Sequence, residues 1–365
     1  MGVAIPSGEA EGMSDERRQQ LTSWARGEVE RLWPTTKPDS ELTVVSGDAS
    51  FRRYFRLACG NGEDGGASTS FIAVDAPPAT EDSEAFVDLS KRFIDAGLRA
   101  PRVYASNFTD GWMLLEDLGD RLLLPELLVA EEQRARELYT PAFAALVALQ
   151  CGVDASALVP FDEAKLIAEM ELFETWFLTG LLELTLDHKR RELLKRSFSF
   201  LADAALVQPQ VAVHRDFHSR NLMLLEDGGL GIIDFQDAVS GAYTYDLVSL
   251  LRDCYVSWPA ATVQQWANQF HTQLAEQLPA AAEKDEASFL RDFDLMGLQR
   301  HLKVMGIFAR LHLRDKKSAY LADIPLVMDY FSSVARQHAE LAEFVEWFDE
   351  VVEPRALVVL NDIKL

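Results

Sequence analysis

The stretch Val213–Asp237, VHRDFHSRNLMLLEDGGLGIIDFQD, decides how the rest of the chain is interpreted. It begins with the pattern H-R-D-x-x-x-x-N and ends with D-F, and two apolar runs lie between these motifs. The runs, residues 222–225 and 230–233, are separated by the sequence E-D-G-G, in which the D-G-G part is typical of a tight turn. The stretch therefore predicts a short β-hairpin with a polar loop on each side.

Three oxygen-bearing side chains flank this hairpin. Asp216 and Asn221 precede it, and Asp234 follows it. A carboxylate such as Asp216 can orient an attacking hydroxyl group and accept its proton. Asn221 and Asp234 offer hard oxygen ligands, which magnesium prefers when it is bound beside nucleotide phosphates. The segment therefore indicates phosphoryl transfer.

The two loops together resemble the catalytic loop and the metal loop of the protein-kinase-like fold. Gln236 stands where protein kinases have the glycine of D-F-G, and this departure is similar to the aminoglycoside phosphotransferase and choline kinase branch, whose substrates are small molecules. The resemblance implies an α+β, bilobal fold with a small antiparallel-sheet N-lobe and a larger, mainly helical C-lobe. We expect a disordered tail over residues 1–13, the N-lobe over 14–118 and the C-lobe over 119–365.

The resemblance also implies the cofactors ATP and Mg²⁺ and a role for each loop residue. Asp216 is expected to be the catalytic base, and Asn221 and Asp234 are expected to hold the metal. His214 and Arg215 are expected to support the loop.

The nucleotide-binding side shows one departure from the kinase pattern. Ser46-Gly47-Asp48 lies between two apolar runs, and it is either a turn whose backbone N–H groups approach the phosphates or an ordinary hairpin turn. The next strand, residues 71–74, lacks the lysine that kinases use to hold the phosphates. Either another cation replaces it or activity is compromised.

Three arginines on the preceding strand are available as the replacement. Because residues alternate faces along a strand, Arg52 and Arg56 share one side and Arg53 points to the other. We choose Arg53, and the alternative is that all three are solvated strand charges. The adenine is expected to pair with backbone groups near Glu116 and Leu118, in the hinge motif LLEDLG.

Residues that contact the acceptor are less sharply indicated. Glu171, Glu174 and Trp176 combine carboxylates with an aromatic ring on one predicted helix, which suits a sugar but also suits any amphipathic helix. His218 and Arg300 are further candidates for substrate binding, and the alternatives are a structural hydrogen bond for His218 and an ion pair for Arg300.

A support residue is also indicated after the metal loop. Asp246 lies at the start of a predicted helix, where a buried carboxylate would accept backbone N–H bonds and brace the catalytic loop.

Six motifs together indicate a narrower group, and they are SGDASFRRYF, DAPP, LLEDLG, HRDFHSRN, IDFQDAVSGAYTYDLVSLLRDCY and RHLKVMGIFARL. They resemble the bacterial kinases that phosphorylate N-acetylmuramate and N-acetylglucosamine at the anomeric hydroxyl in cell-wall recycling. The missing lysine and Gln236 then become normal features of the group. An aminoglycoside O-phosphotransferase and a nucleotide-binding pseudokinase without turnover are the alternatives.

Composition limits the kind of partner. The chain has 365 residues and a formal net charge of -23, which argues against nucleic acid and provides no attraction to anionic membranes. Its three cysteines are far apart and fit a reducing compartment. No apolar run reaches the roughly 20 residues of a membrane span, and the first residues do not resemble a signal peptide. We expect a cytoplasmic enzyme whose partner is a small sugar.

Overall fold

The computed structural model describes residues 7–47, 51–60 and 69–363, and for residues 7–15, 46, 47 and 69 it describes the backbone alone. The chain divides into two compact units. The N-terminal unit comprises Met1–Arg121, Leu225–Asp227 and Gly231–Gln236. The C-terminal unit comprises Leu122–Leu224, Gly228–Leu230 and Asp237–Leu365.

The N-terminal unit is built on an antiparallel sheet. Its elements are α1 (Ser7–Leu32), β1 (Lys37–Pro38), β2 (Thr43–Gly47), β3 (Arg53–Gly60), β4 (Thr69–Asp75), α2 (Ser83–Asp95), β5 (Val103–Asn107) and β6 (Trp112–Glu116). The strand order is β1-β3-β4-β6-β5, with β2 also paired to β3. Every pairing in this sheet is antiparallel, as predicted.

Helix α1 covers one face of the sheet. Strand β3 alternates, and its buried residues Phe55, Leu57 and Cys59 share a core with the helix. The tail predicted to be disordered over residues 1–13 overlaps α1, which begins at Ser7, and residues 1–6 lie outside the described residues. The segment after Pro6 contains no proline, so no residue in it blocks the helix.

Helix α2 positions the D-F motif within the same unit. It begins at Ser83, and Asp82 caps it by accepting a hydrogen bond from the Ala85 N–H at 2.9 Å. Phe235, which is fully buried, packs against Phe86 and Phe93 of α2 with ring centroids 4.8 and 5.2 Å apart. The aromatic residue after Asp234 thereby fixes the metal loop to the helix.

The C-terminal unit is mainly helical. It contains α3 (Leu123–Leu128), α4 (Glu132–Gly152), α5 (Glu163–Leu172), a π-helix (Phe173–Leu181), α6 (His188–Leu206), β7 (Gln210–Val213), β8 (Leu222–Leu224), β10 (Val239–Ala242), α7 (Tyr245–Leu251), α8 (Ala260–Ala275), α9 (Pro279–Ala282), α10 (Glu286–Leu313), α11 (Ile324–Ala335), α12 (Ala342–Trp347) and α13 (Glu353–Asp362), with β9 (Leu230–Ile232) at the boundary. Strands β8 and β9 form the predicted hairpin, and β7 pairs with β10.

Helix α10 is the longest helix described, with 28 residues. Its middle is buried continuously from Leu295 to Gly306. A Cβ atom added at Gly306 would lie 2.4 Å from the backbone carbon of Leu172, so α10 and the end of α5 approach each other at backbone distance. Glycine is therefore required at this crossing.

Two further observations concern the described residues. None of their helices has the length and apolar character needed to cross a membrane. The cysteines Cys59, Cys151 and Cys254 are free thiols, and only Cys151 is exposed.

Candidate active site

The loop between β7 and β8 is held in place by a buried carboxylate. Asp246, in the first turn of α7, accepts hydrogen bonds from the backbone N–H of His214 at 2.7 Å and of Arg215 at 3.0 Å. Burial raises the pKa of Asp246 to about 7, although the two N–H donors oppose this shift. The contact braces the start of the loop from the following helix.

The loop itself forms a compact turn around Asp216. The backbone carbonyl of Asp216 accepts from the N–H of His218 at 2.9 Å and from Nδ2 of Asn221 at 3.0 Å. Its N–H donates to Nδ1 of His214 at 3.2 Å. Arg215 has a φ of 76°, a conformation that costs energy for a residue with a side chain and is found most often at functional sites.

Nearby cations keep Asp216 ionised. Burial alone would raise the pKa of this carboxyl group, but the positive charges of Lys303 and Arg300 oppose burial and help to hold the pKa below its ordinary value. Asp216 is therefore a carboxylate at neutral pH and can accept a hydrogen bond or a proton.

Glu169 links helices α5 and α10 to the loop. This buried residue of α5 forms ion pairs with Arg215 and with Lys303 of α10, the second at 3.0 Å. Lys303 also donates to the hydroxyl group of Tyr245 at 2.9 Å. Burial opposes ionisation of Glu169, yet the two cations hold its pKa below the ordinary value.

A second carboxylate supports the middle of the loop. Asp253 is fully buried and accepts from the N–H and the hydroxyl group of Ser219 at 2.9 and 2.5 Å. It also accepts from the N–H of Tyr255 at 3.2 Å. The sequence interpretation did not include Asp253, although a carboxylate two residues after the apolar helix α7 was a signal for a buried acceptor.

The residues predicted to contact the acceptor substrate are spread over several elements. Glu171 is exposed, Glu174 lies 3.6 Å from Arg191, and Trp176 is half-buried in the π-helix. Among the acidic residues of this segment, Glu169 is the one that contacts the catalytic loop. Its spacing from Leu166 and Phe173 placed it on the apolar face, which was the signal for a buried role.

His218 lies in the loop, half-buried, with its ring edge-on to Tyr255 at 5.8 Å. Burial lowers the pKa of His218, so the imidazole is neutral at pH 7. Arg300 is buried on α10.

The metal loop belongs to the N-terminal unit. Asp234 has a φ of 64°, and Nε2 of Gln236 donates to its Oδ1 at 2.6 Å. Gln236 thus orients the carboxylate from the position where protein kinases have glycine. In the described part of the chain, no three His, Cys, Asp or Glu side chains are grouped to hold a metal ion. Mg²⁺ typically takes only one or two carboxylates and completes its shell with phosphates and water, and the oxygen atoms of Asn221 and of Asp234 are each the type of donor that it prefers.

The arginines of the N-terminal unit have distinct partners. Arg53 pairs with Asp75 at 2.5 Å, and Arg17 of α1 reaches the same carboxylate at 2.7 Å. Arg52 pairs with Glu81 at 3.0 Å, and its guanidinium lies 5.5 Å from the centre of the Phe86 ring. Arg53 therefore lies on the face of the sheet that α1 covers, whereas Arg52 contacts the start of α2.

The third arginine fixes the hinge motif. Arg56 binds Asp117 at 2.5 Å and Asp120 at 2.8 Å, and Asp117 also accepts from the Gly119 N–H at 2.9 Å. Glu116 ends β6, and Leu118 is half-buried in the turn that follows.

The phosphate turn is only partly described. Ser46 and Gly47 continue the ladder between β2 and β3, opposite Tyr54 and Arg53. Asp48 lies outside the described residues.

Comparison with known proteins gives one family and several close relatives. The model of the phosphotransferase enzyme family matches residues 41–286. A protein of Pseudomonas aeruginosa PAO1 named N-acetylmuramate/N-acetylglucosamine kinase is 40% identical over 343 residues, which cover 92% of this chain and 97% of that protein. Proteins of the same name from Pseudomonas putida KT2440 and Neisseria meningitidis MC58 are 39% and 36% identical, and each match covers 92% of this chain and 97% or 96% of the relative.

Solved structures with the same fold are more distant in sequence. Choline kinase from Streptococcus pneumoniae is similar with a TM-score of 0.55 and 12% identity, over 86% of this chain and 99% of that chain. An ADP-bound aminoglycoside phosphotransferase gives a TM-score of 0.51 and 15% identity, over 84% and 98%. The predicted protein-kinase-like fold is confirmed.

Proposed function

The chain belongs to the phosphotransferase enzyme family, and we propose that it transfers the γ-phosphoryl group of ATP to the anomeric hydroxyl of N-acetylmuramate and N-acetylglucosamine. The observation that carries this proposal is the 40% identity, over nearly the whole chain, to a protein named for kinase activity on these two sugars. The predicted membership of this family and the prediction of a sugar kinase are confirmed by these relatives. The anomeric position and the roles of individual residues are our proposals.

Asp216 is proposed as the group that orients and deprotonates the sugar hydroxyl. Its lowered pKa leaves it ionised over the physiological range, and the loop around it is held by Asp246 and Asp253. General-base assistance of this kind contributes roughly 10²- to 10⁴-fold in rate. His214 and Arg215 act as supports, because their backbone N–H groups are bound to Asp246.

Asn221 and Asp234 are proposed as the ligands of Mg²⁺. The amide nitrogen of Asn221 is used in its bond to the Asp216 carbonyl, so its oxygen is the atom suited to a metal. The Gln236 amide orients the carboxylate of Asp234. When bound, Mg²⁺ supplies positive charge that offsets the charge of the phosphates.

Arg52, in place of our first choice Arg53, is proposed as the cation that replaces the missing strand lysine. Arg53 is engaged with Asp75 on the sheet face that α1 covers. Arg52 is buried and paired with Glu81. It follows the segment proposed to bind phosphates, which comprises Ser46, Gly47 and Asp48, by four residues in the sequence. Arginine suits this role because its planar fork matches phosphate oxygens.

The remaining contacts are proposed from the family resemblance. The backbone at Glu116 and Leu118 would receive adenine, and the Arg56–Asp117 pair would keep this turn in one shape. His218, Glu171, Glu174, Trp176 and Arg300 are the candidates for the sugar. A cytoplasmic location fits a substrate that is recycled inside the cell.

A substrate panel tests the proposal. ADP release is measured with ATP and Mg²⁺ in the presence of N-acetylmuramate, N-acetylglucosamine, choline and a set of aminoglycosides. The proposal expects turnover with the two N-acetylated sugars. Turnover with aminoglycosides alone would assign the antibiotic-kinase function, and binding of Mg-ATP without turnover on any acceptor would assign a pseudokinase.

A further inference from the structure

Arg300 is a buried cation without a carboxylate partner among the described residues. Its residue exposure is 3%, and its guanidinium makes one hydrogen bond there, from Nη1 to the sulfur of Cys254 at 3.8 Å. No described Asp or Glu oxygen lies within ion-pair distance of it. Burial raises the pKa of the Cys254 thiol to about 11, so this sulfur is neutral at pH 7 and does not compensate the charge.

The neighbouring cation on the same helix is different. Lys303 is also buried, but it is paired with Glu169 at 3.0 Å and donates to Tyr245 at 2.9 Å. Arg215 shares the same glutamate. One glutamate therefore serves two cations, and Arg300 adds a third positive charge to the same region.

Among the described residues, the Arg300 guanidinium has one weak hydrogen bond and no direct ion pair, and the charges of Asp253 and Asp216 act on it from beyond ion-pair distance. Leaving the donors of a buried guanidinium without acceptors is costly, so such a group is expected where a ligand supplies the missing acceptors. Arg300 contacts Cys254, and the adjacent residue Asp253 accepts two hydrogen bonds from Ser219, so the guanidinium lies beside the loop that carries Asp216. An acceptor whose hydroxyl meets Asp216 would present its other substituents to this region.

We propose that Arg300 binds the carboxylate of N-acetylmuramate and thereby sets the preference between the two acceptor sugars. The proposal rests on the proposed function. N-acetylmuramate differs from N-acetylglucosamine by a lactyl ether that ends in a carboxylate, and the two sugars share the ring and the N-acetyl group. The guanidinium fork matches a carboxylate with two parallel hydrogen bonds.

The test compares both sugars in the wild type, Arg300→Met and Arg300→Lys. With Arg300→Met, kcat/KM for N-acetylmuramate is expected to fall roughly 10- to 100-fold, as for loss of a charged hydrogen bond, and kcat/KM for N-acetylglucosamine is expected to change less than about 3-fold. Arg300→Lys keeps the charge without the fork and should shift the ratio of the two sugars in the same direction by a smaller factor.

Arg310→Met is the matched control. Arg310 lies ten residues further along α10, about 15 Å away at the rise of an α-helix, and its replacement should leave the sugar ratio unchanged. Thermal melting of every variant verifies folding, and Arg300→Lys keeps the test valid if Arg300→Met does not fold.

Three outcomes would overturn the proposal. An equal loss of kcat/KM with both sugars would show that Arg300 binds an ATP phosphate or maintains the conformation of the loop. An unchanged ratio of the two kcat/KM values in both variants would show that Arg300 does not bind the carboxylate. A larger loss with N-acetylglucosamine would reverse the assignment. If the wild type phosphorylates neither sugar, the proposed function itself fails, and this result is distinguished from the other three by the wild-type assay alone.

Discussion

Asp216 concentrates the proposed chemistry in one side chain. In Asp216→Asn, the shape of the side chain is kept and the proton acceptor is lost, so kcat should fall about 10²- to 10⁴-fold. ATP binding should be retained, because the backbone carbonyl that holds His218 and Asn221 is unchanged. ADP release and a thermal shift with Mg-ATP measure the two effects, and full activity of the variant would remove Asp216 from the mechanism.

Gln236 offers a second test at a single residue. Its amide orients Asp234 at 2.6 Å, and Gln236→Gly removes this hydrogen bond to a charged group. The Mg²⁺ concentration for half-maximal rate should rise roughly 10-fold. Asp237→Gly, at the exposed neighbouring position, is the matched control and should leave it unchanged. Equal Mg²⁺ dependence in the two variants would contradict the orienting role.

Arg52 and Arg53 are adjacent in the sequence and are expected to behave differently. Arg52→Met should raise the KM for ATP roughly 10-fold through the lost charged contact, with little change in the KM for the sugar. Arg53→Met should leave the KM for ATP within about 2-fold and lower the melting temperature, because Asp75 is buried and loses one of its two partners. The reverse pattern would return the phosphate role to Arg53.

The side chains differ in how far the sequence could identify them. The spacing of H-R-D-x-x-x-x-N and D-F indicated Asp216, Asn221 and Asp234 directly, because these motifs are local. Glu169 and Asp253 contact the catalytic loop from 46 and 34 residues away, and no local pattern specifies such a partner. Alternation along the strand predicts which of the three arginines share a face, but only the position of α1 shows which face of the sheet the helix covers.

At the level of elements, the start of α7 controls the catalytic loop through Asp246. The pKa of Asp246 is raised to about 7 by burial, so the folded protein binds a proton at higher pH than the unfolded chain. Stability from this group is present at low pH and is lost as pH rises through about 7. The melting temperature of the wild type relative to Asp246→Asn should therefore decrease between about pH 5 and pH 8. A difference that is constant with pH would contradict the raised pKa.

The crossing of α10 and α5 leaves no space for a side chain at Gly306. Gly306→Ala places a Cβ 2.4 Å from the Leu172 backbone carbon and should destabilise the protein by about 1–3 kcal/mol. Gly27→Ala in α1 is the matched control, because no atom lies within 4 Å of the added Cβ, and it should be neutral or stabilising by up to about 1 kcal/mol. Similar melting temperatures of the two variants would show that the crossing can relax.

Most elements were predictable and some boundaries were not. The strands of the hairpin were predicted within one residue. Apolar periodicity does not distinguish α5 followed by a π-helix from one continuous α-helix. It also does not show that the helical segment after Leu123 is interrupted between Leu128 and Glu132.

At the scale of the whole molecule, the assignment depends on the length of the match. The close relatives align with 92% of the chain, and the family model alone covers residues 41–286. The six motifs together indicated this group because they are distributed over both units of the chain, from SGDASFRRYF to RHLKVMGIFARL. The acceptor atom is the part of the account that neither fold nor motif specifies.

Phosphorus NMR of the reaction product tests the central claim most directly. The protein is incubated with ATP, Mg²⁺ and N-acetylglucosamine or N-acetylmuramate, and the new phosphate signal is assigned by its coupling to the sugar protons. The account predicts a phosphate coupled to the anomeric proton, formed together with one ADP for each sugar. A phosphate on another carbon, or ADP formed without any sugar phosphate, would contradict it.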